Sequence, residues 1–130
     1  MKFLNKDPNI GDIIRVLIKD DYYHYGIYIG SDMVIEFGTK KDVLNTLAKD
    51  IKVKKSSVID FLSGGHLEVA SYSFLEKMKM NSKDEIVSKA ESRIGEGNYN
   101  LVSNNCEHFC YEVVFNKHYS TQEAKFLKKN

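Results

Sequence analysis

The chain has 130 residues, 42% hydrophobic and 28% charged, with 8 Tyr and 7 Phe, a size and composition that fit a single domain with a buried core and exclude a disordered chain. Nineteen Lys and Arg stand against 18 Asp and Glu, a net charge of +1, so no global field selects nucleic acid or an acidic partner. Apolar runs fall far short of the ~20 residues of a membrane span, and residues 1–7 lack the apolar core and cleavage site of a secretory signal, so a cytoplasmic protein with no transmembrane segment is expected.

In chain order, residues 12–19 (DIIRVLIK) and 23–29 (YHYGIYI) are β-branched and aromatic runs separated by Asp20-Asp21, the pattern of a hairpin. Gly30-Ser31-Asp32 then leads at hairpin length into Met33–Phe37 (MVIEF), a third strand. Val43, Leu44 and Leu47 have helical spacing within a lysine-rich stretch of irregular path. Residues 58–62 continue in an extended pattern to a turn at Ser63-Gly64-Gly65, and residues 67–72 (LEVASY) resume it. The lysines at 52, 54 and 55 suit a solvated edge strand.

Ser82 and Glu85 have the spacing of a capping box ahead of the stripe Ile86, Val87, Ala90 and Ile94, closed by Gly95. A second helix follows a Gly/Asn-rich connection; its stripe is Phe109, Val113 and Val114, and Asn104 with Glu107 forms its capping pattern. Residues 117–130 are polar and basic, a short helix or a frayed end with no assigned role.

Cys106 falls in the first turn of that second helix. There, unpaired backbone N–H groups and the helix dipole lower a thiol's pKa and can hold the oxyanion formed when the thiolate attacks a carbonyl. Cys110, one turn deeper on the apolar side, reads as a buried structural thiol. His24 interrupts an apolar and aromatic strand, a rigid place from which to present a base. Glu36 lies inside Val34-Ile35-Glu36-Phe37, where a carboxylate has no structural reason to be unless it is paired. The short hairpin between their strands can make His24 and Glu36 neighbours, giving thiol, base and orienting acid. His108, about 200° around the helix from Cys106, reads as structural. A zinc site from Cys106, His108 and Cys110 is disfavoured because those ligands do not converge. His66 and His118 read as solvated.

Three stretches together resemble the lecithin:retinol acyltransferase-like family, which sits with the NlpC-type peptidases in a permuted papain-like superfamily. Pro8-Asn9-Ile10-Gly11-Asp12-Ile13-Ile14 is similar to its opening Gly-Asp strand and Tyr22-Tyr23-His24-Tyr25-Gly26-Ile27-Tyr28-Ile29-Gly30 to its histidine strand; Asn105-Cys106-Glu107-His108-Phe109 matches its nucleophile motif without change. The resemblance covers most of residues 8–115. It implies that Cys106 is the acyl-accepting nucleophile, His24 the general base and acid, and Tyr22 a helper of the Cys106 N–H in binding the oxyanion. Phospholipid-acting members carry a second histidine twelve residues after the first; here that position is Glu36, which favours a thiolate–imidazolium pair and puts substrate preference in question. Membrane-bound animal members carry a hydrophobic C-terminal anchor, whereas this chain ends Phe126-Leu127-Lys128-Lys129-Asn130.

The expected fold is therefore α+β, an antiparallel sheet of four to six strands packed against helices in a permuted papain-like arrangement, one domain over 1–130 with its core at about 8–115. The expected function is cysteine-dependent hydrolysis or transfer of ester acyl groups, lipid ones first, through a Cys106 thioester. An NlpC-type peptidase or amidase is the second reading, and an interaction module that has kept only the fold the third. No metal, nucleotide or other cofactor is implied, and contact with a membrane would be peripheral.

Overall fold

The computed structural model describes residues 1–42 and 49–129. The helical spacing at Val43, Leu44 and Leu47 lies outside the described residues. The chain runs β1 (Lys2–Leu4), β2 (Ile13–Lys19), β3 (Tyr22–Gly30), β4 (Met33–Phe37), β5 (Val53–Ser57), α1 (Val58–Leu62), β6 (Glu68–Ser71), α2 (Phe74–Lys79), α3 (Lys83–Ser92), α4 (Cys106–Phe115) and α5 (Thr121–Lys129). The strands form one antiparallel sheet in the order β1-β6-β2-β3-β4-β5. The architecture is α+β.

The β2–β3–β4 meander is built as its sequence dictates. Ser31 and Asp32 both take positive φ, 53° and 57°, the backbone that a two-residue hairpin requires and that Asp tolerates better than most residues. The turn sets the register at Gly26 opposite Glu36 and Ile27 opposite Ile35. Alternation then sends Tyr25 and Ile27 to one face of the sheet, where α3 and α4 cover them with Ile86, Ala90, Phe109 and Val113. The other face carries Ile14, Val16, Val34 and Val69 around Phe61 of α1. Gly26 permits that approach: a Cβ there would stand 2.6 Å from Val34 Cγ2 and 2.8 Å from Phe61 Cε1.

The predicted capping box of α3 is present, Ser82 and Glu85 exchanging side-chain bonds with each other's backbone N–H. That of α4 is shifted by one residue: Asn105, not Asn104, caps the helix, accepting from the Glu107 and His108 N–H groups, while His108 Nδ1 accepts the Asn105 N–H. Residues 58–62 are helical rather than extended. The Ser57 hydroxyl accepts the Asp60 N–H and opens α1, and Ser63 closes it at φ 44°, so a local cap wins over a β-branched pattern in a five-residue segment. Helix α2, opened by a Ser73–Glu76 capping box, has no counterpart in the sequence reading. Strand β5 is an edge strand that exposes Lys54 and Lys55.

The basic tail is ordered as α5 and bound to the rest of the fold. Lys125 Nζ donates to the Asp21 carbonyl at 2.8 Å, and the Tyr23 N–H donates to Gln122 Oε1 at 2.7 Å.

Candidate active site

His24 lies on β3 opposite Val16, two residues before Gly26, which faces Glu36. Side chains on such diagonals reach one another across an antiparallel pair, and the missing side chain of Gly26 leaves the diagonal open. His24 Nε2 and Glu36 Oε1 meet at 2.7 Å, and both groups are buried. An ionised carboxylate only accepts, so this bond assigns the ring proton to Nε2. Nδ1 is then the bare nitrogen, and it has no hydrogen-bond partner among the described residues. The ring stacks on Phe61 with centroids 4.8 Å apart.

Cys106 is the first residue of α4, fully buried, and packs on the α3–α4 side of the sheet with Tyr25 and Ile27. The hydrogen-bond ladder between β3 and β4 ends at Gly26 and Glu36, which leaves the Tyr25 N–H without a strand partner on that edge. The thiol occupies the gap: the N–H groups of Tyr25, Cys106 and Glu107 favour its thiolate. Burial outweighs them and, with the Glu107 carboxylate adding to it, the thiol is pushed up to about 12. Cys106 thus abuts the backbone one residue from His24, while no hydrogen bond joins thiol to imidazole.

The structure therefore brings His24 and Glu36 into direct contact and sets Cys106 against the same strand. Tyr22 begins that strand two residues before His24, half-buried, with Lys125 Nζ 6.0 Å from its ring centroid. Cys110 is buried among the apolar side chains of the core. His66 is exposed. His118 is exposed yet engaged: its ring stacks on His108 at 4.0 Å, Nδ1 bonds Glu112 and Nε2 lies 2.8 Å from the Ser103 carbonyl. His108 is held at both nitrogens, by the Asn105 N–H and by Glu123 Oε1 at 2.9 Å.

Sequence reasoning missed the cluster behind the thiol. Glu107, buried, accepts from the Ser120 hydroxyl at 3.0 Å, from the Thr121 hydroxyl at 3.0 and 2.9 Å, and from the Gln122 N–H at 3.1 Å. Asn105 Nδ2 donates to Ser120 Oγ at 3.1 Å. Ser120 with Glu123 has the Ser-x-x-Glu spacing of a helix start, and the Glu123 N–H does donate to Ser120 Oγ; that spacing was the available signal that the tail orders beside the motif.

The family model described as lecithin retinol acyltransferase matches residues 6–119. The chain belongs to that family. It is 27% identical to mouse lecithin retinol acyltransferase over 89% of this chain and 58% of the relative. It is 26% identical to human phospholipase A and acyltransferase 4 over 93% of this chain and 78% of the relative. With human phospholipase A and acyltransferase 2 it shares 29% identity over 78% of this chain and 67% of the relative. The match spans little more than half the length of the mouse family member. No described helix is long and apolar enough to cross a membrane.

Proposed function

We propose that this family member is a cysteine-dependent acyl hydrolase or acyltransferase acting on ester-linked lipid acyl groups, with Cys106 as nucleophile, His24 as base, Glu36 as its orienting acid and Tyr22 beside the oxyanion. The proposal includes a permuted papain-like arrangement, histidine strand before cysteine helix, and one domain over 1–130. The observation that carries it is the buried Glu36–His24 pair, whose bare Nδ1 sits on the strand that abuts the thiol. The names of the relatives support lipid esters as the substrate class, and two free cysteines fit a reducing cytoplasm.

In this mechanism His24 Nδ1 takes the Cys106 proton, and Glu36 holds the imidazolium through Nε2. The thiolate attacks the acyl carbonyl carbon. An S–C bond forms and the carbonyl π pair moves to oxygen, where the Cys106 N–H at the helix start can receive it. Collapse restores the carbonyl and breaks the C–O bond; the alkoxide leaves with the proton from His24, and the thioester passes its acyl group to water or a second acceptor.

The test is intact-protein mass after brief mixing with activated esters of short and long acyl chains, followed by peptide mapping. One acyl group on Cys106, absent from a folded Cys106→Ser variant, is expected, with Cys110→Ser close to wild type. An adduct elsewhere, or turnover by the serine variant, refutes the assignment. No acylation by esters alongside cleavage of amides would favour the peptidase reading.

A further inference from the structure

Two buried side-chain atoms lack a hydrogen-bond partner among the described residues: His24 Nδ1, which the proposed mechanism uses, and Gln122 Nε2, which it does not. Buried polar atoms without partners are rare and call for a reason, because leaving one unpaired costs about 1–3 kcal/mol. Gln122 is 2% exposed and otherwise fully employed. Its N–H donates to Glu107 Oε1 at 3.1 Å, and its Oε1 accepts the Tyr23 N–H at 2.7 Å. That second bond fixes the amide against flipping, so the atom left over is a donor.

The strand edge fixes where this amide stands. N–H groups two residues apart on a strand point the same way. Beyond the end of the β3–β4 ladder at Gly26 and Glu36, Tyr25 turns its N–H to the Cys106 sulfur and Tyr23 turns its own to Gln122. The thiol and the carboxamide are thus consecutive occupants of one edge, roughly 6.6 Å apart by strand repeat. A carbonyl under attack fits that interval: its carbon comes within about 3–3.5 Å of the nucleophile, and its oxygen needs donors at about 2.7–3.1 Å. The Glu107 bond ties the Gln122 backbone to the first turn of α4, whose Cys106 N–H is another donor at the thiol.

We propose that Gln122 is a catalytic residue whose Nε2 donates, together with the Cys106 N–H, to the oxyanion of the acyl group under attack. The inference rests on the reading of Cys106 as an acyl-accepting nucleophile. It gives the C-terminal helix a place in the chemistry: α5 completes the oxyanion hole.

The experiment compares two reactions of the same thiol in the full chain, acylation by p-nitrophenyl hexanoate and alkylation by iodoacetamide. Alkylation builds no oxyanion, yet it shares the thiol's ionisation and access. Gln122→Met removes the donor; Gln122→Glu removes it while keeping an oxygen for the Tyr23 N–H, and so covers the case in which the methionine variant unfolds. In both, acylation should fall about 10²–10³-fold relative to alkylation. A ratio within about threefold of wild type, or an equal fall in both reactions, overturns the assignment and leaves Gln122 a packing residue. A wild-type protein that is alkylated but never acylated on Cys106 instead overturns the nucleophile reading beneath it.

Discussion

Replacing Glu107 with leucine should cost about 3 kcal/mol of folding stability. The carboxylate is buried and receives the Ser120 and Thr121 hydroxyls and the Gln122 N–H. Leucine fills much of the same space but accepts nothing. The Thr121 hydroxyl is half-buried and can turn to water, so two donors remain stranded, the Ser120 hydroxyl and the Gln122 N–H, at about 1–3 kcal/mol each. Against that stands the relieved desolvation of one buried charge, which offsets part of the loss. With a urea dependence of about 1.5 kcal/mol/M, the unfolding midpoint should fall by about 2 M. Glu107→Gln keeps an acceptor oxygen and should lose about 1 kcal/mol. Urea titration followed by circular dichroism reads the midpoint, and amide hydrogen exchange at Gln122 and Glu123 shows whether the tail has come loose. A leucine variant within about 0.5 kcal/mol of wild type, with protected tail amides, would refute the claim that this carboxylate holds the tail.

Gly26→Ala should destabilise by about 1–3 kcal/mol, because the new methyl would stand under 3.0 Å from both Val34 and Phe61 in a packed interior; thermal melts measure it. Phe61 must then shift from the His24 ring, so acylation of Cys106 should slow as well. Glu36→Leu should cost about 1–3 kcal/mol by leaving the His24 Nε2–H unpaired in the interior, whereas Glu36→Gln should stay folded and lose most acylation; an active glutamine variant would remove the need for a charged orienting group. The Glu112 contact raises His118 above its ordinary value. A raised folded-state pKa contributes stability below the unfolded value of about 6.5 and loses it as pH rises through the folded value. His118→Ala should therefore melt lower than wild type at about pH 5.5 and match it at about pH 9. A deficit that grows with pH would reverse that sign.

The meander was legible because each strand is β-branched and each connection is a short polar turn, and the hairpin register alone brought His24 near Glu36. Helix α3 announced itself through Ser82 and Glu85. Helix α1 did not: five residues, four of them large and apolar, carry too little period to distinguish helix from strand, and the deciding group is the Ser57 hydroxyl outside the run. Cys106, His24 and Glu36 stand out in the sequence one by one as candidates, since each is an unusual residue for its surroundings. The ties from Glu107 to residues 120–122 join its side chain to two hydroxyls and a backbone N–H 13–15 positions away, and no pattern of hydropathy encodes such a contact. The unpaired Gln122 amide becomes visible only once every other polar group near it has been matched to a partner.

Burial decides how the thiol stands at rest. The largest influence on Cys106 is its enclosure, which favours the neutral thiol, and Glu107 pushes the same way; the N–H groups of Tyr25, Cys106 and Glu107 oppose them. The opposing groups belong to β3 and α4, whereas the pairing of Glu107 depends on α5. Any movement that admits a substrate must let solvent or substrate into a site where Cys106 and His24 are both fully buried. Water reaching the thiol weakens the enclosure, and water reaching Glu107 screens its charge, while the N–H groups fixed by strand and helix stay aimed at the sulfur. Under the proposed mechanism access and ionisation would thereby be coupled: an opening that lets a carbonyl approach Cys106 would also shift the balance of charge toward the thiolate.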